Sequence, residues 1–408
     1  MSTKQTELTA SPPEKKGRIA ALDALRGVAV IGIIPMNVIA WSMVPAAYIS
    51  PRAGGGDGPL ETALWALTFV LVEDKFRTLF AMMFGAGVAI LVERAREHPL
   101  RGHYARMAVL LLIGILHSVL LAGNDILRSY AFTGCLLPLV LQWPVRRLLV
   151  AAGVIVGIQT VVASVFAFLY LFLPDPDALA SAELTYGYNA ETTADFIERS
   201  EESFPERIER RLGEWETMIF AALVQVPTNL AAMLVGLGLW RSGLLAGQWE
   251  AARATRLAKH LALVSLPPLL ALAAWAIASG FDAVVMASLF FAFTGPFDLL
   301  LGVAYAAAAM ALFGGRWSGA AMTDRLAATG RMALTNYLAT SVVFAALFHA
   351  WGLGLYGEIG RGTAEALVLL PVALMLLWSP PWLSRFRQGP AEWLWRSLSQ
   401  GRALPLRR

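Results

Sequence analysis

Arg18 to Trp41 reads RIAALDALRGVAVIGIIPMNVIAW, a polar turn carrying Asp23 and Arg26 followed by an apolar run that reaches a lone amide, Asn37. At about 1.5 Å per residue such a run crosses a hydrocarbon core of roughly 30 Å. It is the first membrane span, too long for a cleaved secretory signal and read as a retained anchor. Three residues advance a helix by about 300° and eleven by about 1100°. Asp23, Arg26 and Asn37 therefore share one stripe, which other helices must cover.

The whole chain has the composition of a membrane protein. Of its 408 residues 57% are hydrophobic and only 15% charged, against about 25% charged in a soluble domain. No soluble domain stands out. The net charge of +4 sits in short clusters between apolar runs, a distribution set by topology rather than by polyanion binding, so no nucleic-acid partner is expected. Cys135 is the only cysteine, which leaves no internal disulfide and no cysteine metal site.

Placing the basic clusters on one side gives about ten transmembrane helices with both termini cytoplasmic. Residues 1–17 form a flexible cytoplasmic tail and 18–173 an N-terminal membrane half. Residues 174–215 form an extracytoplasmic acidic loop, 216–384 a C-terminal membrane half and 385–408 a cytoplasmic basic tail. Within this all-α polytopic bundle Ile126 to Gln142 is read as one span and Met332 to Trp351 as another. The clusters agree only if residues 60–92 cross once, although Glu73, Asp74, Lys75 and Arg77 interrupt them. Residues 281–313 are also longer than a crossing needs and are interrupted by Gly295, Pro296 and Asp298. Both long segments read as broken or re-entrant, and both carry the break about fifteen residues in, which predicts similar depth. Broken helices are tolerated at membrane depth where they are buried or line a cavity. The expectation is an outward-opening polar cavity with Lys75 or Arg77 facing Asp298.

Three groups of residues can carry chemistry. His117, followed by Asn124 and Asp125, can serve as a general base oriented by a carboxylate, or be acylated itself; a buried histidine bonded to a backbone carbonyl would give the same pattern. Lys75 and Arg77 can hold an anionic or carbonyl-bearing substrate, or simply neutralise Glu73 and Asp74 along one helix. Asp23, Arg26, Arg331, Thr335 and Asn336 form a polar collar at the inner rim, joined by Asn37 higher on the first helix. Such a collar can hold donor phosphates, and ordinary positive-inside arginines would look the same. Gly85 and Gly87 read as helix-packing points. His98 and His103 lack the carboxylates of a metal site, and no metal is expected.

Several separated motifs then resemble one family. RIAALDALRGVAVIGIIPMN, KFRTLFAMMFGAG, GILHSVLLAGNDILRSYAFTG, GRMALTNYLATS and GPAEWLWRSL are similar, in order and over nearly the whole chain, to the signatures of the bacterial YeiB-like membrane proteins. Asn124 stands where glycine is expected and Cys135 where a large apolar residue is more usual. That family resembles, distantly, the transmembrane acyltransferases, including the heparan-alpha-glucosaminide N-acetyltransferase group. The resemblance implies a plasma (inner) membrane location and an acyl group taken from cytoplasmic acyl-coenzyme A. It also implies a histidine in the membrane-embedded site, here His117, and a donor site near Asp23 and Arg26.

From these readings the expected protein is a transmembrane acyltransferase using acyl-CoA as donor. His117, oriented by Asp125, activates a hydroxyl or amine of an envelope or small-molecule acceptor, and Lys75 or Arg77 stabilises the oxyanion. The alternative is a membrane transporter of a small anionic or lipid-derived solute. Membrane lipid is a partner in either case.

Overall fold

The computed structural model describes residues 14–56, 58–94, 99–173 and 175–408. Expectations for residues 1–13, for Asp57, Arg96, His98 and Pro174, and for the side chains of Arg18 and Arg94 lie outside the described residues.

Among the described residues every regular element is a helix, and the single bridge outside them pairs Phe386 with Arg407. Among the described residues seven helices are long and apolar enough to cross a membrane, and nine if each of two bent pairs is one span. The architecture is a polytopic helical membrane bundle. Val145–Phe172 and Ala251–Ala278 bury only 11% and 22% of their apolar windows inside the protein. Their exposed Val154, Ile158, Phe166, Leu263 and Leu270 form the kind of surface that lipid covers.

The first helix, Glu14–Ser42, touches Lys75–Arg94, Gly295–Ala311 and Ala333–Phe348. It packs most extensively on Ala321–Arg331, because Gly27 and Gly330 let the backbones touch. A Cβ on Gly27 would sit 2.1 Å from Leu326 O, and one on Gly330 would sit 1.8 Å from Asp23 O. A second crossing joins Lys75–Arg94 to Val226–Arg241, where a Cβ on Gly85 would lie 2.2 Å from Met233 O and one on Gly236 2.0 Å from Met82 O. Gly85 is thus the packing point expected of it. At Gly87 the nearest atom is Arg26 Nη2 at 3.8 Å, and the approach there is ordinary.

The two long segments behave as broken spans. Pro59–Glu93 runs as one length of 35 residues but is interrupted between Leu71 and Lys75. Asp74 adopts a left-handed φ of 54° there, a conformation aspartate tolerates better than most residues. In the second segment a π-turn, Leu289–Phe293, precedes Gly295–Ala311, with Pro296 in the first helical turn. The break therefore falls one turn before the residues that mark it in sequence, since proline starts the new helix rather than ending the old one.

Two expected spans take other forms. Ile126 to Gln142 holds only a 10-residue helix, Leu127–Leu136, and a 3-10 turn, Leu137–Leu139, around Pro138. It still reaches from one end of the bundle to the other. Arg128 near its start donates to Gly123 O and Met218 O, while the carbonyls of Leu141 and Trp143 near its end receive Arg241. Met332 to Trp351 is the second arm of a pair, Ala321–Arg331 and Ala333–Phe348, bent by 83°. At one end of the bundle, the acidic segment folds into Pro176–Tyr186, Ala190–Ser200 and Phe204–Gly213. Ser203 and Glu206 close a capping box on the last of these.

Candidate functional site

The His117 side chain sits near the end of Pro99–Leu120 and is only 4% exposed. Its Nδ1 lies 2.6 Å from Asp125 Oδ2 and its Nε2 lies 2.9 Å from Ser341 Oγ. A carboxylate accepts at Nδ1, so Nδ1 carries the proton and donates it, and Nε2 keeps its lone pair for the Ser341 hydroxyl. Asp125, 2% exposed, is itself held on both oxygens. Oδ2 also accepts from Tyr337 Oη at 3.3 Å, and Oδ1 accepts the Arg128 N–H at 3.1 Å. The turn after the His117 helix and the first residues of Leu127–Leu136 place the carboxylate. Ala333–Phe348, arriving from the C-terminal part of the chain, supplies Tyr337 and Ser341 from one face.

This group is roofed from the acidic end. Arg211 of Phe204–Gly213 donates to Ser118 O and Val119 O at 3.2 and 3.3 Å, closing the carbonyl terminus of the His117 helix. Burial and the neighbouring Arg207 and Arg210 push the Arg211 guanidinium down to about 10. Arg207, buried, lies directly against the His349 ring and also donates to Ser200 O at 3.2 Å. Burial, followed by the positive charges of Arg207 and Arg211, holds His349 down at about 3. That imidazole is neutral and accepts from the guanidinium.

Lys75 and Asp298 meet across the two broken segments: Nζ is 2.7 Å from Oδ1, with side chains 0% and 3% exposed. Lys75 also donates to Phe69 O at 2.5 Å. Both groups are enclosed, so the outward-opening cavity expected around them is replaced here by a closed pair. Arg77 is held by Asp74 through two bonds of 2.5 and 2.6 Å and donates to Asn229 Oδ1 at 3.1 Å. Asn229 Nδ2 donates in turn to Ser129 Oγ, and Ser129 to Ile126 O. The Arg77 layer is thereby tied by hydrogen bonds to the residue that follows Asp125. Both cations are committed to carboxylates and carbonyls of their own layer rather than to the His117 group.

At the opposite, basic end a cavity of about 480 Å³ is lined by Asp23, Asp324, Ala328, Arg331, Ser384 and Arg408, among others. Arg26 donates to Asp23 at 2.9 Å on its margin. Two other collar residues face elsewhere. Thr335 donates to Glu392 Oε2 at 2.5 Å, and Glu392 Oε1 accepts the N–H groups of Leu334 and Thr335. Asn336 donates to Thr329 O and Ser379 Oγ and accepts from Trp378 Nε1. These bonds fasten the bend at Met332 to the last two helices, Leu369–Arg385 and Pro390–Ser399. Asn37 is half-buried farther along the first helix. His103 is buried and bonded to Gly134 O at 2.8 Å.

Ser341 is the member of this constellation that the sequence does not mark. It lies 224 residues from His117, in a stretch that also holds Thr335, Asn336 and Thr340, any of which could serve as packing. The readable signal is its spacing of four from Tyr337, which puts a phenol and a hydroxyl on one helix face.

Comparison with known proteins places the chain. Residues 239–402 match the family model described as "Protein of unknown function (DUF418)". Over 414 residues the chain is 32% identical to the uncharacterized protein YeiB of Escherichia coli (strain K12), covering 95% of this chain and 98% of that one. It is 27% identical over 413 residues to the uncharacterized protein YxaH of Bacillus subtilis (strain 168), covering 93% and 94%. No solved structure matches. With this identity sustained along almost the full length of both proteins, the chain belongs to the YeiB-like, DUF418 family of membrane proteins.

Proposed function

We propose that this protein is a transmembrane acyltransferase. It moves an acyl group from cytoplasmic acyl-CoA to a hydroxyl or amine of an envelope or small-molecule acceptor. In this reading the basic end of the bundle faces the cytoplasm and the acidic segment faces outward, as the arginine distribution favours. The membrane is the bacterial plasma membrane, and both termini are cytoplasmic.

The observation that carries the reading is the His117 imidazole, buried near the end of its helix and oriented by Asp125, with a hydroxyl oxygen 2.9 Å from its other nitrogen. That is the arrangement a general base needs to take a proton from an attacking hydroxyl or amine. The basic-end cavity, with Asp23, Arg26, Arg331 and Arg408 at or near it, supports a donor site there. Its volume falls in the range of roughly 300–1,000 Å³ usual for ligand sites. Thr335 and Asn336 act as the frame of that site, and Asn37 lies on the route from it along the first helix. Arg77, bonded through Asn229 and Ser129 to the carbonyl of Ile126, holds the turn that carries Asp125, while Lys75 joins the two broken segments through Asp298; these are the parts they play here in place of oxyanion contact.

A carrier for a small anionic or lipid-derived solute is the second reading, favoured by the Lys75–Asp298 pair between two broken helices. Reconstituted protein given labelled acetyl-CoA and an envelope extract separates the two. Label in a product, absent with His117→Ala, supports acyl transfer. Coenzyme-independent solute counterflow without labelled product supports the carrier.

A further inference from the structure

Serine and threonine inside helices ordinarily return the hydroxyl to a carbonyl three or four residues back. Several helical hydroxyls of this molecule follow that habit, while Thr335 gives its hydroxyl to Glu392. Ser118 bonds Gly114 O, Ser129 bonds Ile126 O, Thr133 bonds Ser129 O and Ser288 bonds Val284 O. Thr340, the residue beside Ser341, bonds Asn336 O at 2.9 Å. Ser341 instead reaches across to another helix and gives its hydroxyl to His117 Nε2.

Resting on the acyltransferase reading, we propose that Ser341 is the nucleophile that first receives the acyl group, so that transfer proceeds through an acyl-serine on the protein. The geometry is that of an activated serine: nucleophile on base, base on an orienting carboxylate, and the carboxylate fixed by Tyr337 and the Arg128 N–H. Ser341, His117 and Asp125 are 5%, 4% and 2% exposed. Such enclosure keeps water from an ester held there.

In the first step Ser341 Oγ attacks the thioester carbonyl carbon while His117 Nε2 takes the hydroxyl proton. The C–S bond breaks, and the leaving sulfur takes that proton from the imidazolium, giving free coenzyme A thiol and an ester on Ser341. In the second step the acceptor hydroxyl or amine loses its proton to Nε2 and attacks the ester carbonyl. The C–O bond to Ser341 breaks, and the proton returns to Oγ. The two chemical steps are separated in time. A donor that enters from the basic end and an acceptor that enters from the acidic end can therefore use one base without occupying the site together.

Two probes on the full-length purified protein test this. A tagged fluorophosphonate reacts with base-activated serines whatever the natural donor is, and peptide mapping should place it on Ser341. Labelling should vanish with Ser341→Ala and fall about 100-fold with His117→Ala, each variant being checked for an unchanged melting temperature. Labelled acetyl-CoA without acceptor should then leave one acetyl group on Ser341 and release one equivalent of thiol in a burst. In a Cys135→Ala background, Ser341→Cys should carry the acetyl as a thioester that neutral hydroxylamine removes, which guards against misfolding of the alanine variant. Fluorophosphonate on Ser341 with no acetyl taken from the coenzyme upholds the nucleophile and overturns only the donor. Undiminished acyl transfer by folded Ser341→Ala, or no label at Ser341 from either probe, overturns the acyl-serine; in the first of these cases the acyltransferase reading itself survives.

Discussion

Lys75 Nζ and Asp298 Oδ1 lie 2.7 Å apart with neither side chain exposed to any appreciable degree. The pair joins the breaks of two long helical segments that are more than 200 residues apart in sequence. Removing one charge leaves the other buried and uncompensated. Lys75→Met or Asp298→Leu alone should therefore destabilise the protein by about 3–5 kcal/mol, whereas the two combined should recover most of that loss. Melting of the four proteins in one detergent gives the coupling. Additive losses would show that the two side chains do not depend on each other.

The carboxylate behind the imidazole makes a separate prediction. Asp125→Asn keeps the shape of the side chain but cannot stabilise an imidazolium, and it invites the wrong His117 tautomer. Acyl transfer should fall by about 10³–10⁴-fold, with little change in melting temperature. Tyr337→Phe removes the weaker 3.3 Å bond to the same oxygen and should cost far less, about 10-fold or under. Rates measured at one donor concentration with both variants reveal the order, and equal losses would mean that Asp125 acts only as packing.

Acid should undo the roof before it undoes the bundle. His349 faces Arg207 and, one turn on, Arg211, with Trp41 and Trp351 rings on its flanks. Its proton affinity is lowered from the ordinary 6.5 to about 3. A histidine depressed in this way contributes stability that is complete above pH 6.5 and is lost as pH falls toward 3. The loss is about 1.4 kcal/mol per pH unit in that window. Hydrogen exchange in Phe204–Gly213 should therefore rise between pH 6.5 and 4.5, while exchange in Val226–Arg241 stays constant. His349→Gln should flatten the dependence; a wild-type profile that is already flat would show that the imidazole is not what holds the helix down.

These cases show which parts of the molecule the sequence exposes. Lys75 and Asp298 are legible because a charge inside an apolar run is costly and must find a partner, and equal distances from the outer face bring the two to one depth. His117 and Asp125 are legible because eight residues and a turn separate them. Ser341 is not, since a helix interior rich in Thr and Ser offers several equivalent hydroxyls, and only the tertiary crossing selects one. Thr335 and Asn336 look like phosphate ligands in sequence, yet Glu392 and Trp378, from helices far along the chain, take up their polar atoms. Ile126 to Gln142 looks like one regular helix in sequence because hydropathy measures apolar length and not the tightening of the chain at Pro138.

The walls of the basic-end cavity are set by how closely the first helix lies on Ala321–Arg331. Asp23 and Arg331, on either side of that cavity, belong to the two helices that cross at Gly27 and Gly330. A methyl group on Gly330 would meet Asp23 O at 1.8 Å, which is backbone and cannot swing aside. Gly330→Ala must therefore push the helices apart and should destabilise by about 1–3 kcal/mol, the range for overpacking. Gly153→Ala and Gly157→Ala lie on Val145–Phe172 with nothing within 4 Å of the added atom. Relieved of glycine's cost in a helix, they should be neutral or stabilising by up to about 1 kcal/mol. If the cavity is the donor site, Gly330→Ala should also raise the concentration of acyl-CoA needed for half-maximal transfer more than it lowers the maximal rate, because the His117 group lies elsewhere in the bundle. Thermal melts and donor titrations of the three variants check both parts, and a Gly330→Ala protein with wild-type donor dependence would place the donor away from this crossing.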